Sequence, residues 1–188
     1  MKAPHDSRRR VLDASLALVA ASGVRAVSFR EVARLAGVSH QTPYHHFGSA
    51  QGILRAIAEE GFSSLTAQMA GAAEAAGPDP LAALTASGVA YVAFATAHPG
   101  HFRVMFQRPV DEVEPPLPEA GATYATLERL VAAAHARGHG ADVPVNVLVG
   151  LCWAVVHGIA ALRTEGHGPP VADAEVVRGL GRLLAARA

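Results

Sequence analysis

Apolar residues recur at spacings of three and four along this 188-residue chain, and β-branched runs with period-two alternation are absent. A segment with that rhythm can bury one side only as a helix, so an all-α fold is predicted. The 51% hydrophobic content owes much to alanine, but the length still suits one large domain, or a small domain fused to a medium one. The single cysteine, Cys152, leaves no disulfide to form within the chain and fits a reducing compartment. A cytoplasmic protein is expected.

The stretch RRRVLDASLALVAASG sets arginines before an apolar run, as a secretory leader does. Asp13 interrupts that run, and Leu12, Leu16 and Val19 fall at helical spacing, so an amphipathic helix ending near Gly23 is predicted instead. No uninterrupted apolar run of the roughly 20 residues needed to cross a bilayer is found elsewhere, so no membrane partner is expected. Net charge is zero, but unevenly assembled: residues 1–60 carry eight Lys or Arg against five Asp or Glu, and residues 61–188 carry eight against eleven. A basic head on an acidic body suits a phosphate-contacting domain joined to something else.

The head has a legible order. Ser28 stands where an N-cap belongs, with Glu31 three residues on to complete a capping box, and Val32, Leu35 and Ala36 form an apolar stripe. Gly37 ends that short helix, Val38 plugs the core, and Ser39 is placed to cap a third helix beginning at His40. Helix, glycine-containing turn and helix make up the helix-turn-helix plan, whose second helix offers its first residues to the major groove. Pro43 is tolerated there because the first turn of a helix has few intrahelical amide partners. His40, Gln41 and Thr42 can bond base edges and phosphates, while Tyr44 and His46 can reach the sugar-phosphate backbone. Phe47 is expected to face inward, and Ser49 to cap a fourth helix.

Two stretches, RRRVLDASLALVAASG and SFREVARLAGVSHQTPYHHFGSAQGIL, resemble the DNA-binding domain of TetR-family transcriptional regulators over residues 8–62. The resemblance implies a three-helix DNA-binding domain over residues 1–48 and a helical ligand-binding and dimerisation domain over residues 49–188. It implicates Arg30, His40, Gln41, Thr42, Tyr44 and His46 in DNA contact; Ser28 and Ser39, at helix starts, complete the candidate set. Ala50 stands where the family usually has a lysine, which removes one phosphate contact; Arg8, Arg9 and Arg10 could compensate through the adjacent groove.

Further helices are predicted at about 50–74, 80–97, 100–107, 118–137, 144–164 and 172–187 from apolar spacing and Gly/Pro punctuation. Two segments, AYVAFATAHPGHFRVMF and LCWAVVHGIAAL, resemble the ligand-binding domain of TetR regulators of the Trp-His-Gly type, with Trp153, His157 and Gly158 as its signature. The resemblance implies a homodimer whose bodies bind a small-molecule effector and whose heads then release a double-stranded DNA operator, as a repressor would. Tyr91, Phe94, Phe102, Met105, Phe106, Trp153 and His157 are the candidate effector contacts, an apolar set with few polar groups; plain core packing is their rival explanation. His157 needs a hydrogen-bond partner, from a ligand or from the body. The 144–164 helix is apolar all round, with one face in Val147, Leu151, Val155, Gly158 and Leu162 and another in Val149, Trp153, Val156 and Ala160. One face should pack on its own body, and the other, with Val176, Val177, Leu180, Leu183 and Leu184 of the last helix, should meet a second subunit.

Other chemistries fit poorly. Adjacent His45 and His46 point about 100° apart on a helix, and His98/His101 or His135/His139 have no accompanying Glu or Cys, so no metal site and no cofactor are expected. Cys152 and His157, five positions apart, do not share a helix face as a nucleophile and base would. The chain has no complete dinucleotide loop, GxSxG or P-loop, and an enzyme is not expected. The alternative is a helical small-molecule-binding or catalytic protein whose head no longer binds DNA; the intact Ser28–Phe47 unit distinguishes the two.

Overall fold

The computed structural model describes residues 4–106, 117–168 and 170–185. Among them are nine α-helices and no strand: α1 (Pro4–Ser22), α2 (Phe29–Ala36), α3 (Gln41–Phe47), α4 (Ala50–Ala75), α5 (Pro80–Ala97), α6 (Pro99–Phe106), α7 (Pro118–His135), α8 (Val145–Thr164) and α9 (Asp173–Ala185). The all-α prediction holds, and the helices lie close to the predicted spans. Position 107, the turn residues between 108 and 116, and positions 186–187 of the last predicted helix lie outside the described residues.

The chain forms two compact units. One takes the chain up to Gly61 together with the segment from His98 through α6; the other takes Phe62–Ala97 and the chain from α7 onward. In the first unit α1 packs on α2, α3 and α6, and Val11, Leu12, Val19, Val32, Ile53 and Ile57 are fully or nearly fully buried. Gly37 ends α2 in the left-handed conformation, φ 59°, which glycine adopts without a Cβ penalty. The Arg10 guanidinium donates to the carbonyls of Ala36 and Gly37, so α1 satisfies acceptors that the end of α2 leaves open.

The α3–α4 corner is tighter still. Ser49 caps α4, its Oγ accepting the Gly52 N–H at 2.9 Å, and a Cβ at Gly52 would stand 2.0 Å from the Phe47 carbonyl oxygen. Backbone, not a flexible side chain, blocks that space. Any larger residue at position 52 would force the turn that delivers α3 to shift.

In the second unit α5 carries no charged residue and is packed by α7, α8 and α9. Tyr91, Val92, Phe94 and Ala95 along it are buried. The Thr66 and Thr123 hydroxyls meet at 2.6 Å, tying α4 to α7 within this unit. α8 is divided as its periodicity suggests: Val149, Val156 and Ala160 are buried, while Val147, Leu151 and Leu162 are exposed. By length and composition alone, α5 and α8 are each apolar enough to cross a membrane, which the sequence expectation had not recognised. α9 corrects the expected interface. Val177 is buried and lies beside Gly88, and Leu180 and Leu184 pack on the unit's own core; Leu183, 75% exposed, keeps an outward position. The hydrophobic side of α9 is spent on covering α5.

Replacing Gly52 by Ala is expected to cost about 1–3 kcal/mol, the usual cost of overpacking. The midpoint of urea unfolding measures it, against Gly71→Ala in the same helix, where a Cβ meets nothing within 4 Å.

Candidate functional site

At the start of α3, His40 and Gln41 are exposed. His40 is the N-cap residue in helical geometry, φ −57°, with no side-chain cap. Ser39 therefore does not cap α3 as expected: its hydroxyl pairs with that of Thr42 at 2.8 Å, because the chain is already turning helically at His40. Pro43 is buried on the underside of the first turn, and Tyr44, 61% exposed, stands edge-on to Phe29 at 6.1 Å. His46 is half-buried, its Nε2 2.9 Å from the Ser7 hydroxyl. Ser28 caps α2 by accepting the Glu31 N–H. Glu31 does not close the capping box; its carboxylate pairs with Arg34 at 2.9 Å. Arg30 is exposed near the start of α2.

The arginine triplet is engaged within the first unit. Arg8 lies over the Phe47 ring at 5.2 Å. Arg9 donates to Asp13 and to both oxygens of Glu60, and those bonds, to Asp13 foremost, raise its pKa further above the usual guanidinium value. Arg10 holds the end of α2. All three thus have partners within the unit, Arg8 and Arg9 at its surface. At Ala50 the first turn of α4 offers no cationic side chain, and its cap is Ser49.

The seven candidate effector contacts divide between the units. Phe102, Met105 and Phe106 lie on α6: the two rings are 4.9 Å apart, and Gly61 is so close that a Cβ there would stand 2.6 Å from the Met105 Sδ. Helical spacing shows which face of a helix is apolar, not which neighbour covers it. In the second unit Tyr91, Trp153 and His157 come together while Phe94 is buried along α5. The Trp153 and His157 rings stack at 5.7 Å with 7° between planes. Tyr91 meets Trp153 edge-on at 5.8 Å, and its hydroxyl is 2.9 Å from His157 Nδ1. The phenol of Tyr91 is thus one partner of the imidazole. Burial lowers the His157 pKa and raises those of Tyr91 and Cys152, so all three groups favour their neutral forms.

Two participants escaped the sequence reading. Tyr124 of α7 stands edge-on to Trp153 at 5.8 Å, on a helix with no signature to mark it. Ser87 of α5, with Tyr91, Cys152 and Trp153, lines a cavity of about 30 Å³, and only its small side chain in an alanine-rich helix could have drawn notice. Among the described residues no three His, Cys, Asp or Glu side chains cluster as metal ligands do.

Residues 11–57 match the family model for bacterial regulatory proteins of the tetR family, and residues 84–185 match that for the tetracyclin repressor-like C-terminal domain. Among solved structures, a protein with unknown function from Rhodococcus sp. RHA1 is 32% identical, with 95% of this chain and 93% of that one covered and a TM-score of 0.76. The TetR family transcriptional regulator PfmR from Thermus thermophilus is 23% identical over 93% of this chain and 96% of its own, at a TM-score of 0.77. A bacterial regulatory protein in the tetR family from Rhodococcus RHA1, 19% identical, covers 95% of this chain and 96% of its own at 0.80. The last two share the fold. No curated protein matches the chain.

Burial of neutral His157 sets the direction of a pH dependence. Its folded pKa lies below the ordinary value of 6.5, so on acidification the unfolded chain takes up the proton first. Stability is retained above about pH 6.5 and falls as the pH drops from there toward the lower folded pKa. Urea midpoints between pH 7.5 and 5.5 should fall less steeply in His157→Leu than in the wild type, with half-buried His101, also lowered by desolvation, contributing to the slope that remains.

Proposed function

The chain belongs to the TetR family of bacterial regulatory proteins, and from that premise we propose that it is a homodimeric repressor released from a palindromic operator by a small, mainly apolar effector. Its fold is that of a DNA-binding transcriptional regulator. The observation that carries the proposal is the display of His40, Gln41 and Tyr44 on a short helix whose underside is held by buried Pro43 and by the Gly52 turn. Side chains reach base edges only if the backbone beneath them is fixed. Ser28, Arg30, Ser39, Thr42, Tyr44 and His46 supply the surrounding sugar-phosphate contacts, and the protein works by binding, without bond chemistry, in the cytoplasm.

The exposed stripe of Val147, Leu151 and Leu162 on α8 supports association. Gly150 and Gly158 on that helix and Gly179 on α9 have nothing within 4 Å of an added Cβ, which leaves room for a neighbouring helix to approach closely. In this proposal two copies of α8 and α9 form a four-helix interface, with Leu183 in place of the buried Val177. The effector binds at Tyr91, Trp153 and His157 in the second unit. If it favours a geometry in which the heads no longer span major-groove spacing, effector and operator oppose one another by the same coupling energy.

Gln41→Ala should alter base preference, by roughly 1–3 kcal/mol at the base it contacts, while Arg30→Ala should weaken binding to all sequences and flatten the salt dependence. Gel shifts on DNA flanking the gene, repeated across salt concentrations, separate the two; unchanged affinity and slope in Arg30→Ala would discard its phosphate role. Sedimentation equilibrium should give twice the 19.4 kDa chain mass at micromolar concentration for the wild type, and a shift toward monomer in Leu151→Glu.

A further inference from the structure

We propose that Ser87 is the polar anchor of the effector site, and that the effector is an uncharged, mostly apolar molecule carrying one hydrogen-bonding oxygen. The inference rests on the effector reading above and narrows it to one side chain and one ligand class.

Ser87 is 1% exposed, and its Oγ has no hydrogen-bond partner among the described residues. Hydroxyls inside helices ordinarily satisfy themselves by donating to the carbonyl four residues earlier. Ser15 does so to Val11 at 2.8 Å, Thr85 to Leu81 at 2.8 Å and Thr126 to Ala122 at 3.0 Å. Ser87, in the same helix as Thr85, does not. It faces a cavity of about 30 Å³ whose walls include Tyr91, Cys152 and Trp153, so the orphaned hydroxyl stands beside the aromatic cluster assigned to the effector. A buried polar group left unpaired is a standing cost, which a ligand oxygen would remove.

The walls also define what is excluded. No Asp, Glu, Lys, Arg or His lines the cavity, the Tyr91 hydroxyl is engaged by His157, and burial holds the Cys152 thiol neutral. An ion would lose its hydration and find no counter-charge. Water, which needs two to four polar partners, finds few here: the Thr85 hydroxyl already donates to the Leu81 carbonyl, and the Tyr91 hydroxyl is taken by His157. Growth of the cavity to ligand size requires the walls to yield, and Met69 and Leu184 line it with unbranched or rotatable side chains.

The cavity also lies next to a larger opening. An open groove of about 840 Å³ runs along α5 and α9 and shares Thr85 and Gly181 with the cavity wall. A Cβ at Gly181 would stand 2.6 Å from the Thr85 Oγ1, so the seam between groove and cavity is a glycine set against a threonine.

The chain has one tryptophan, and it lines the cavity, so Trp153 emission excited beyond phenol absorption follows occupancy. Phenol, benzene and benzoate are titrated at pH 7 into the full-length wild type and Ser87→Ala. Phenol and benzene should give saturable changes in both proteins, benzoate in neither, and the substitution should weaken phenol by about twofold to tenfold while leaving benzene unchanged or tighter. Benzene binding to the variant shows that its cavity is intact. Equal phenol affinity in the two proteins would overturn the role of Ser87 and leave the effector site standing; benzoate binding as tightly as phenol would overturn the ligand class. No saturable response to phenol or benzene in the wild type would remove the site at Trp153 along with Ser87, while operator binding by the same preparation would stay as measured.

Discussion

A helix of eighteen residues without one charge has to be enclosed, and enclosing α5 organises the second unit. Three helices surround it, and each gives up its apolar side to do so. α9 has little to spare, since Val177, Leu180 and Leu184 are all drawn inward. α8 is richer in apolar residues than one face can use, and what remains on its outside is the stripe of Val147, Leu151 and Leu162. The surplus on α8 and the poverty of α9 follow from the same demand.

The first unit solves a different problem. α3 has seven residues, far below the length at which an isolated helix holds its shape in water. Its conformation is imposed from below and from the sides: by buried Pro43, by the Ser7–His46 bond, by Arg8 over Phe47, and by the backbone approach at Gly52. Hydrogen-bonding side chains at its start can then stay exposed without contributing to the fold, which frees them for a partner.

Much of this was legible in the sequence because punctuation and capping are local. Gly23, Ser28, Gly37 and Ser49 mark the ends of helices where the backbone needs them, and Pro43 fits only a first turn. Long-range partners were not legible. Three consecutive arginines read as a cationic patch, yet each finds a different partner within the unit: the Phe47 ring for Arg8, Asp13 and Glu60 for Arg9, and the end of α2 for Arg10. The aromatic residues of α6 share an apolar character with Tyr91 and Trp153 but fold with α1, through contacts such as Gly100 against Leu16. Ser87 was overlooked for the same reason: a missing hydrogen bond is a property of surroundings, and no spacing rule records it.

The membership of α6 in the first unit bears on how the protein is made. Chain emerging from a ribosome presents α1 to α3 early, but the surface that covers α1, with Gly100 on Leu16 and Arg103 donating to the Ala20 carbonyl, is encoded several dozen residues later. At roughly 5–20 residues per second the nascent head waits a few seconds with the flank of α1 open to solvent and to chaperones. A fragment ending at position 48 or 61 would remain in that state permanently. The DNA-reading part of the chain is thus contiguous in its motif yet discontinuous in its folding, and translation rate through α5 becomes a variable in its yield.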